Sequence, residues 1–545
     1  MSLLAFPIDV SSVLKHLRQD MRDDWFDDPL EYGELFSNPQ DLYRVISEIL
    51  EQHNGQYLSG GRQIYDIPKA SFGLRYALET DFYDRFIYQA IASYLMPFYD
   101  PILSNRVLGH RLNKERKSDK YLFKHRIELW NTFEGLTKLP IQEGGSLLVT
   151  DLINYYENIR SSSIVEALEC QLTGVAASGL EKNRIRNAIH TLENLLNKWS
   201  YQGEKGLPQN RDASSFFANV LLNTVDQKMV SKGYDYFRYV DDIRISCKTP
   251  QVAQTALHEL IKELRQLGLN INSAKTCILH KSSPRSEFDA VFPSHDDRSL
   301  AIDNMWRSKS KRIILRSLPL IHEFIVDIVA DGKSQSRQFR FCINRLTTIV
   351  DAKIVDCEQI ITPQLQKILL DLLKEQPAST DYFCKIILTL GPTHPILEET
   401  ESFLIENSEF ITSWQSYKLW LLFARVGYTS EKLTGFAMQK ISSDFDCAAT
   451  PAILIYIGKC EDATNTEQLL AYFTTGISYQ HKRCLLIATQ DLSRELLKPY
   501  IPLLGPRLTN TVSRIASSRA LTGKFTHRTK PGKLDNIFEQ LNPYD

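Results

Sequence analysis

The chain has 545 residues, with 64 Lys and Arg against 65 Asp and Glu and a net charge of −1. That length points to several domain-sized units, and the even charge excludes a globally basic protein, so any polyanion contact must come from local patches. Nine cysteines without a C-x-x-C pair support neither a zinc site nor a disulfide framework; no apolar run is long enough to span a bilayer and the start is not signal-like, so a soluble cytoplasmic protein with no membrane partner is expected.

Residues 1–60 read as an N-terminal helical segment, with Ile8, Val10, Val13, Leu14 and Leu17 on one stripe. Ser59-Gly60-Gly61 closes it as a glycine-rich turn. Ile67-Pro68-Lys69 and Gly73-Leu74-Arg75 follow. The Lys69 ammonium and the forked Arg75 guanidinium suit a phosphate chain, or else rim a basic hairpin. Phe82-Tyr83-Asp84-Arg85 opens an apolar helix. Residues 106–126 then gather Arg106, Arg111, Lys114, Arg116, Lys117, Lys120, Lys124 and Arg126 against only Glu115 and Asp119. This is either a phosphate-neutralising patch or a solvated loop.

Leu147-Leu148-Val149-Thr150-Asp151 is an apolar run ending in a carboxylate, as a buried strand with Asp151 at its C-terminal edge. Gly206-Leu207-Pro208-Gln209-Asn210 is a polar loop leading through Ser214-Ser215-Phe216-Phe217-Ala218-Asn219 into a helix. Phe237-Arg238-Tyr239-Val240-Asp241-Asp242-Ile243-Arg244-Ile245 wedges two adjacent carboxylates into a strand pattern. In a core they would repel and be desolvated at large cost. On a tight turn facing a cation they make sense, and a pair of Mg²⁺ ions, oxygen-seeking, would neutralise them. A plain surface turn is the blander reading. A helix and then Leu267-Gly268-Leu269-Asn270-Ile271-Asn272-Ser273-Ala274-Lys275-Thr276 complete the series, with Lys275 expected on a strand.

These four stretches, in this order, resemble the reverse transcriptase family over residues 60–285 or so. The resemblance implies an α+β right-hand polymerase core, with fingers at 61–145 and palm at 146–285. It implies nucleotidyl transfer from dNTPs, with two Mg²⁺ (or Mn²⁺) ions clamping the attacking and leaving oxygens. Asp151 and Asp241 would bridge the metals, Asp242 would lie more peripherally, and the Leu152 carbonyl would complete one metal shell. Lys69 and Arg75 would hold the triphosphate, with Gln209 also at the nucleotide. Tyr156, five residues after Asp151, would exclude a ribose 2′ hydroxyl, unless it is ordinary packing beside Tyr155. Lys275 would protonate pyrophosphate, pair with a phosphate, or simply be a solvated lysine. One position departs from the family: Asn210 stands where Gly usually follows Leu-Pro-Gln. Asn also tolerates positive φ, but it adds bulk, which puts ordinary template placement in doubt.

Residues 286–299 are polar and read as a connector. From 300 to 545 the strand signals fade. Ile313–Ile328, Leu365–Leu373, Phe383–Leu390, Leu419–Val426 and Leu469–Phe473 read as helices without a fixed period, so an all-helical, repeat-like (HEAT-like) C-terminal domain is expected. This layout is unlike the shorter retron-type enzymes and resembles the abortive-infection and other defence-associated reverse transcriptases. That resemblance implies phage defence through DNA synthesis, untemplated and protein-primed in some members, with homo-oligomers in some. The tail from Pro506 to Lys533 carries seven Lys and Arg and no acidic residue. With Arg111, Lys114, Arg116 and Lys117 it is a candidate contact for single-stranded DNA product or RNA, or a flexible segment. Tyr544 is a candidate for a priming tyrosine. Two other functions stay open: a conventional RNA-copying reverse transcriptase, and a catalytically idle nucleic-acid-binding scaffold.

Overall fold

The structure is a computed structural model that describes residues 4–69, 73–114, 121–201, 203–292, 297–334, 336–352, 354–355, 360, 362–390, 394–509 and 512. The chain divides into two compact units. The first comprises Met1–Asp24, Leu35–Ile64 and Tyr76–Ser294, and the second Trp25–Glu34, Tyr65–Arg75 and His295–Asp545.

The first unit is built on a four-stranded antiparallel sheet. Its strands are β3 (Ser146–Thr150), β4 (Asp235–Tyr239), β5 (Asp242–Cys247) and β6 (Cys277–His280), in the order β4-β5-β3-β6. A separate ribbon pairs β1 (Arg62–Pro68) with β2 (Leu74–Thr80). Register in the sheet sets Leu148 opposite Ile245 and Ile278, and Val149 opposite Arg244 and Cys277. Because strand residues alternate faces, Leu147, Val149, Cys277 and Leu279 share one face, packed with Ile141, Phe288, Val291 and Phe292. Arg244 on that face reaches Thr137 of the helix Arg126–Gln142 at 3.0 Å. Helices Asp212–Ser231 and Pro250–Gln266 accompany the sheet as well. Cover on both faces is why Leu147-Leu148-Val149 reads as an unbroken apolar run rather than an alternating one.

Helix signals in the N-terminal part are met by Val10–Asp20, Pro39–Gln52 and the apolar Phe82–Tyr99. The Ser59-Gly60-Gly61 turn is gathered by Asp84, which accepts from the Ser59 hydroxyl and the Gly60 amide. Two expectations are corrected. Lys275 lies on a single 3₁₀ turn, Ser273–Lys275, ahead of β6 and not on a strand, since Asn272 is tied to the Asp151 carbonyl and holds the chain out of the ladder. The expected connector opens with a helix, Arg285–Val291, preceded by Pro284 at its N-cap. The boundary between the units, after Ser294, still falls within 286–299.

Every element wholly within the C-terminal stretch of the second unit is a helix among the described residues. Alternate helices stack. Arg337–Asp351, Thr380–Leu390, Ser413–Val426, Thr450–Lys459 and Tyr479–Ala488 form one row, and Lys311–Ala330, Pro363–Glu375, His394–Glu406 and Glu431–Ser443 a second. Each helix buries one stripe against its own row and another against the facing row. The segment expected as a helix at Leu469–Phe473 is a 3₁₀ turn, Leu469–Tyr472. The eight described cysteines are free thiols. No described helix is long and apolar enough to cross a membrane.

Candidate active site

Asp151 follows the last residue of β3, and Asp241 and Asp242 stand at the turn between β4 and β5. β3 and β5 are neighbours, with Thr150 opposite Ile243, so the strand end and the turn fall at one edge of the sheet. There the Asp241 carboxyl stands close enough to Asp151 and Asp242 for their charges to bear on it. Burial pushes Asp241 up to about 7, and the negative charges of Asp242 and Asp151 act in the same direction. The Lys275 ammonium donates to Asp151 Oδ2 at 2.6 Å, a contact that raises its own pKa. It stands where a cation would neutralise that carboxylate.

The backbone at Asp151 is fixed from the other side. Asn272 N donates to the Asp151 carbonyl at 2.6 Å and Ile153 N to the Asn270 carbonyl at 3.0 Å, an antiparallel bridge between Leu152 and Ile271. That pattern leaves the Leu152 carbonyl outside the pairing. Among the described residues no group of three or more acidic, histidine or cysteine side chains is gathered as a metal cage. The donors that do meet here, carboxylates and a backbone carbonyl, are hard oxygens of the kind Mg²⁺ and Mn²⁺ select. A carboxyl held near 7 by burial and its acidic neighbours is one that a dication would ionise, so the residues fit such ions in chemistry.

The turn itself is strained and braced. Tyr239 pairs with Asp242, which leaves Val240 and Asp241 as the turn residues. Val240 has φ +55°, a first-position conformation that glycine prefers. For a β-branched residue it costs roughly 1–3 kcal/mol. Arg238, fully buried, holds it. Arg238 Nη1 donates to the Val240 carbonyl and to Asn219 Oδ1, both at 2.8 Å. Its Nε and Nη2 donate to Asp226 at 2.8 and 2.7 Å. Asn219 in turn donates to the Gly109 carbonyl at 2.9 Å. A Cβ on Gly109 would lie 3.0 Å from both Val240 N and Val240 Cγ2, so any side chain there would press on the turn and force it to yield by a few tenths of an ångström. This bracing escaped the sequence reading. Its signal was present: an arginine two residues before the aspartate pair's turn, with Asn219 and Asp226 two helical turns apart on one face of Asp212–Ser231.

Tyr156 stands near the aspartates, and the Asp241 charge bears on its hydroxyl, which burial raises above the usual phenol range. That hydroxyl shares a 2.7 Å hydrogen bond with Ser215 Oγ, and the ring packs 5.0 Å from Tyr155. The Gln209 amide donates to Glu157 Oε1 at 3.2 Å. Asn210 adopts φ +56°, the left-handed conformation that glycine would supply.

Lys69 and Arg75 lie on the β1–β2 ribbon, in the Tyr65–Arg75 stretch that belongs to the second unit. Arg111 is held within its own loop. Its guanidinium donates to the Asp100 carboxylate and to the carbonyls of Asp100, Ser104 and Val107 at 2.8–3.0 Å. Lys114 is exposed. Arg116, Lys117 and Tyr544 lie outside the described residues, as does most of the basic tail.

The β4-β5-β3-β6 sheet brings the carboxylates of a strand end and of a tight hairpin to one edge. Residues 67–341 match the family described as reverse transcriptase (RNA-dependent DNA polymerase), and the chain belongs to that family. It is 35% identical over 85 residues to a retron Ec86 reverse transcriptase from Escherichia coli. That stretch covers 15% of this chain and 26% of the relative's length. Among solved structures it is similar to telomerase from Candida tropicalis in complex with a fragment of telomeric RNA, at 12% identity and a TM-score of 0.30 over 70% of this chain and 67% of that one. It is also similar to the corresponding telomerase complex from Candida albicans, at 10% identity and a TM-score of 0.29 over 82% and 66%. Likenesses this loose bear on neither fold detail nor function.

Proposed function

We propose that the protein is a DNA polymerase of its family that joins dNTPs by two-metal nucleotidyl transfer and serves in anti-phage defence by abortive infection. The observation that carries the chemistry is the meeting of Asp151 and Asp241 at the braced β4–β5 turn. Asp151, Asp241, Asp242 and the Leu152 carbonyl would hold two Mg²⁺ ions, or Mn²⁺. When bound, such ions polarise the attacking hydroxyl and the leaving pyrophosphate. Lys275, now on Asp151, is the residue best set to answer a change of charge there. Tyr156, fixed through Ser215, fits a gate that favours dNTPs. Lys69, Arg75 and Gln209 remain the candidates for holding the nucleotide, and Lys114, with Arg116 and Lys117, for the nucleic acid.

The defence role is supported by layout. The palm unit is followed by a two-row helical stack, consistent with the HEAT-like domain of the defence-associated group. Asn210 in place of glycine supports synthesis without an ordinary template, and a homo-oligomer and a priming tyrosine come with the same resemblance. The retron similarity favours a second reading, copying of a dedicated RNA.

The test is dNTP incorporation by the purified chain with Mg²⁺, with and without RNase, beside NTPs. Asp241→Ala should lower incorporation by at least about a hundredfold, in keeping with loss of a metal-binding carboxylate, and should abolish protection in phage plating. Polymer that survives RNase supports untemplated synthesis, and RNase-sensitive polymer supports the RNA-copying reading. Unchanged plating by Asp241→Ala would leave the protein a scaffold.

A further inference from the structure

One part of the palm unit has the build of a ligand surface and no role in the chemistry above. Tyr76 of β2 and Tyr201 stack nearly parallel, with ring centroids 5.1 Å apart at 6°. Tyr201 covers one face of Tyr76, yet Tyr76 remains 40% exposed, so its outer face is open to solvent.

The stack is held by design of the backbone around it. Tyr201 sits on a tight loop closed by its own amide on the Lys205 carbonyl at 3.0 Å. Its hydroxyl donates to the Glu157 carbonyl at 2.5 Å. Gly206, at φ +105°, lies directly under the ring: a Cβ there would come within 2.2 Å of Tyr201 Cε1. The same loop is tied to the gate segment, since Gly206 N donates to the Ile159 carbonyl and Leu207 N to the Tyr156 carbonyl. On the other ring's side, the Tyr76 amide reaches Glu157 Oε1 at 3.5 Å, the oxygen that also receives Gln209. Arg160, exposed, and Lys205 pair as a bridge on the same loop. An open aromatic face, mounted on the Glu157 segment next to Tyr156 and on the loop bridged at Arg160 and Lys205, has the chemistry of a stacking platform for a base.

We propose that the outer face of Tyr76, backed by Tyr201, stacks an unpaired nucleobase of a single strand at the entrance to the Tyr156 site. This rests on the polymerase reading for its purpose but not for its measurement. The full chain carrying Asp241→Ala, which should make little product, is mixed with 2-aminopurine-labelled single-stranded DNA or RNA, and with dNTP alone. Binding should quench the fluorophore. Adding Tyr76→Ala should weaken strand binding about tenfold, the loss of one aromatic–base stack, and Tyr201→Ala should weaken it less. Tyr76→Phe should bind within twofold of the parent. Melting temperature confirms that each variant is folded. Parent-like strand binding by Tyr76→Ala overturns the platform, as does a loss confined to dNTP. DNA against RNA tells which strand it receives. If the chain without Asp241→Ala fails to incorporate dNTPs while Tyr76→Ala still weakens binding, the polymerase reading falls and the platform stands.

Discussion

Asp20 shows how much a single buried carboxyl contributes here. Its side chain is 5% exposed and lies 3.5 Å from Arg85, and its Oδ1 accepts the Asp212 amide at 2.7 Å, so it caps the helix Asp212–Ser231 from another part of the chain. Burial and the nearby Asp212 charge push it up to about 6. A carboxyl raised above its unfolded value favours the folded state when protonated. Stability is therefore expected to be greatest below about pH 4 on this account and to fall as pH rises to about 6, by on the order of 3 kcal/mol. Asp20→Asn keeps the acceptor and loses the charge. Urea midpoints at pH 4, 6 and 8 should lose that slope in the variant, and an unchanged slope would remove Asp20 as its source. Nothing in the sequence marks Asp20. It reads as one of several N-terminal acids, and only folding brings it under Asp212. Asp151, Asp241 and Asp242, by contrast, were legible because each interrupts an apolar pattern where a carboxylate has no structural use.

At the scale of the element, the β4–β5 hairpin is a strained turn held by a buried ion pair. Arg238 and Asp226 are both without exposure. Removing one partner of such a pair typically costs 3–5 kcal/mol, so direct mutation would test stability and positioning together. Gly109→Ala separates them better, because its Cβ would press on Val240 from outside the pair. A displacement of the Asp241 backbone is expected to lower incorporation by about ten- to a hundredfold with only a few degrees' change in melting. Full activity in Gly109→Ala would mean that the turn tolerates movement. The hairpin was legible from spacing and turn position. The brace was not, since Gly109, the helix carrying Asn219 and Asp226, and the strand carrying Arg238 are three separate stretches that become partners only when sheet and helix pack.

Over the whole molecule, each unit takes in pieces of chain that sequence order assigns elsewhere. In the second unit, Trp25–Glu34 is bound to the helical stack by charge. Asp27 receives Lys418 and Arg425 at 2.5 and 2.6 Å. Asp28 receives Arg483 Nε at 2.5 Å and Nη2 at 2.9 Å, and Glu34 receives the same guanidinium. Arg483 also lies 4.5 Å from the Tyr32 ring. Arg483→Ala would leave two buried carboxylates facing each other, at a cost of about 3–5 kcal/mol. Proteolysis within 25–34 and urea unfolding should both report this, and parent-like resistance would show that the segment is held by its apolar contacts, such as Phe26 against Tyr417 at 5.0 Å.

The strand, the turn and the carboxylates were readable along the chain, because each obeys local rules of period, backbone conformation and charge. It also determined that the C-terminal stretch is helical, since stripes of apolar residues need only their own helix to be read. Tertiary structure decided what holds the active turn in place, which cations are used up internally, and which N-terminal residues belong to which unit. Those outcomes depend on pairings between distant residues, and a buried charge reveals its partner only when both have left water.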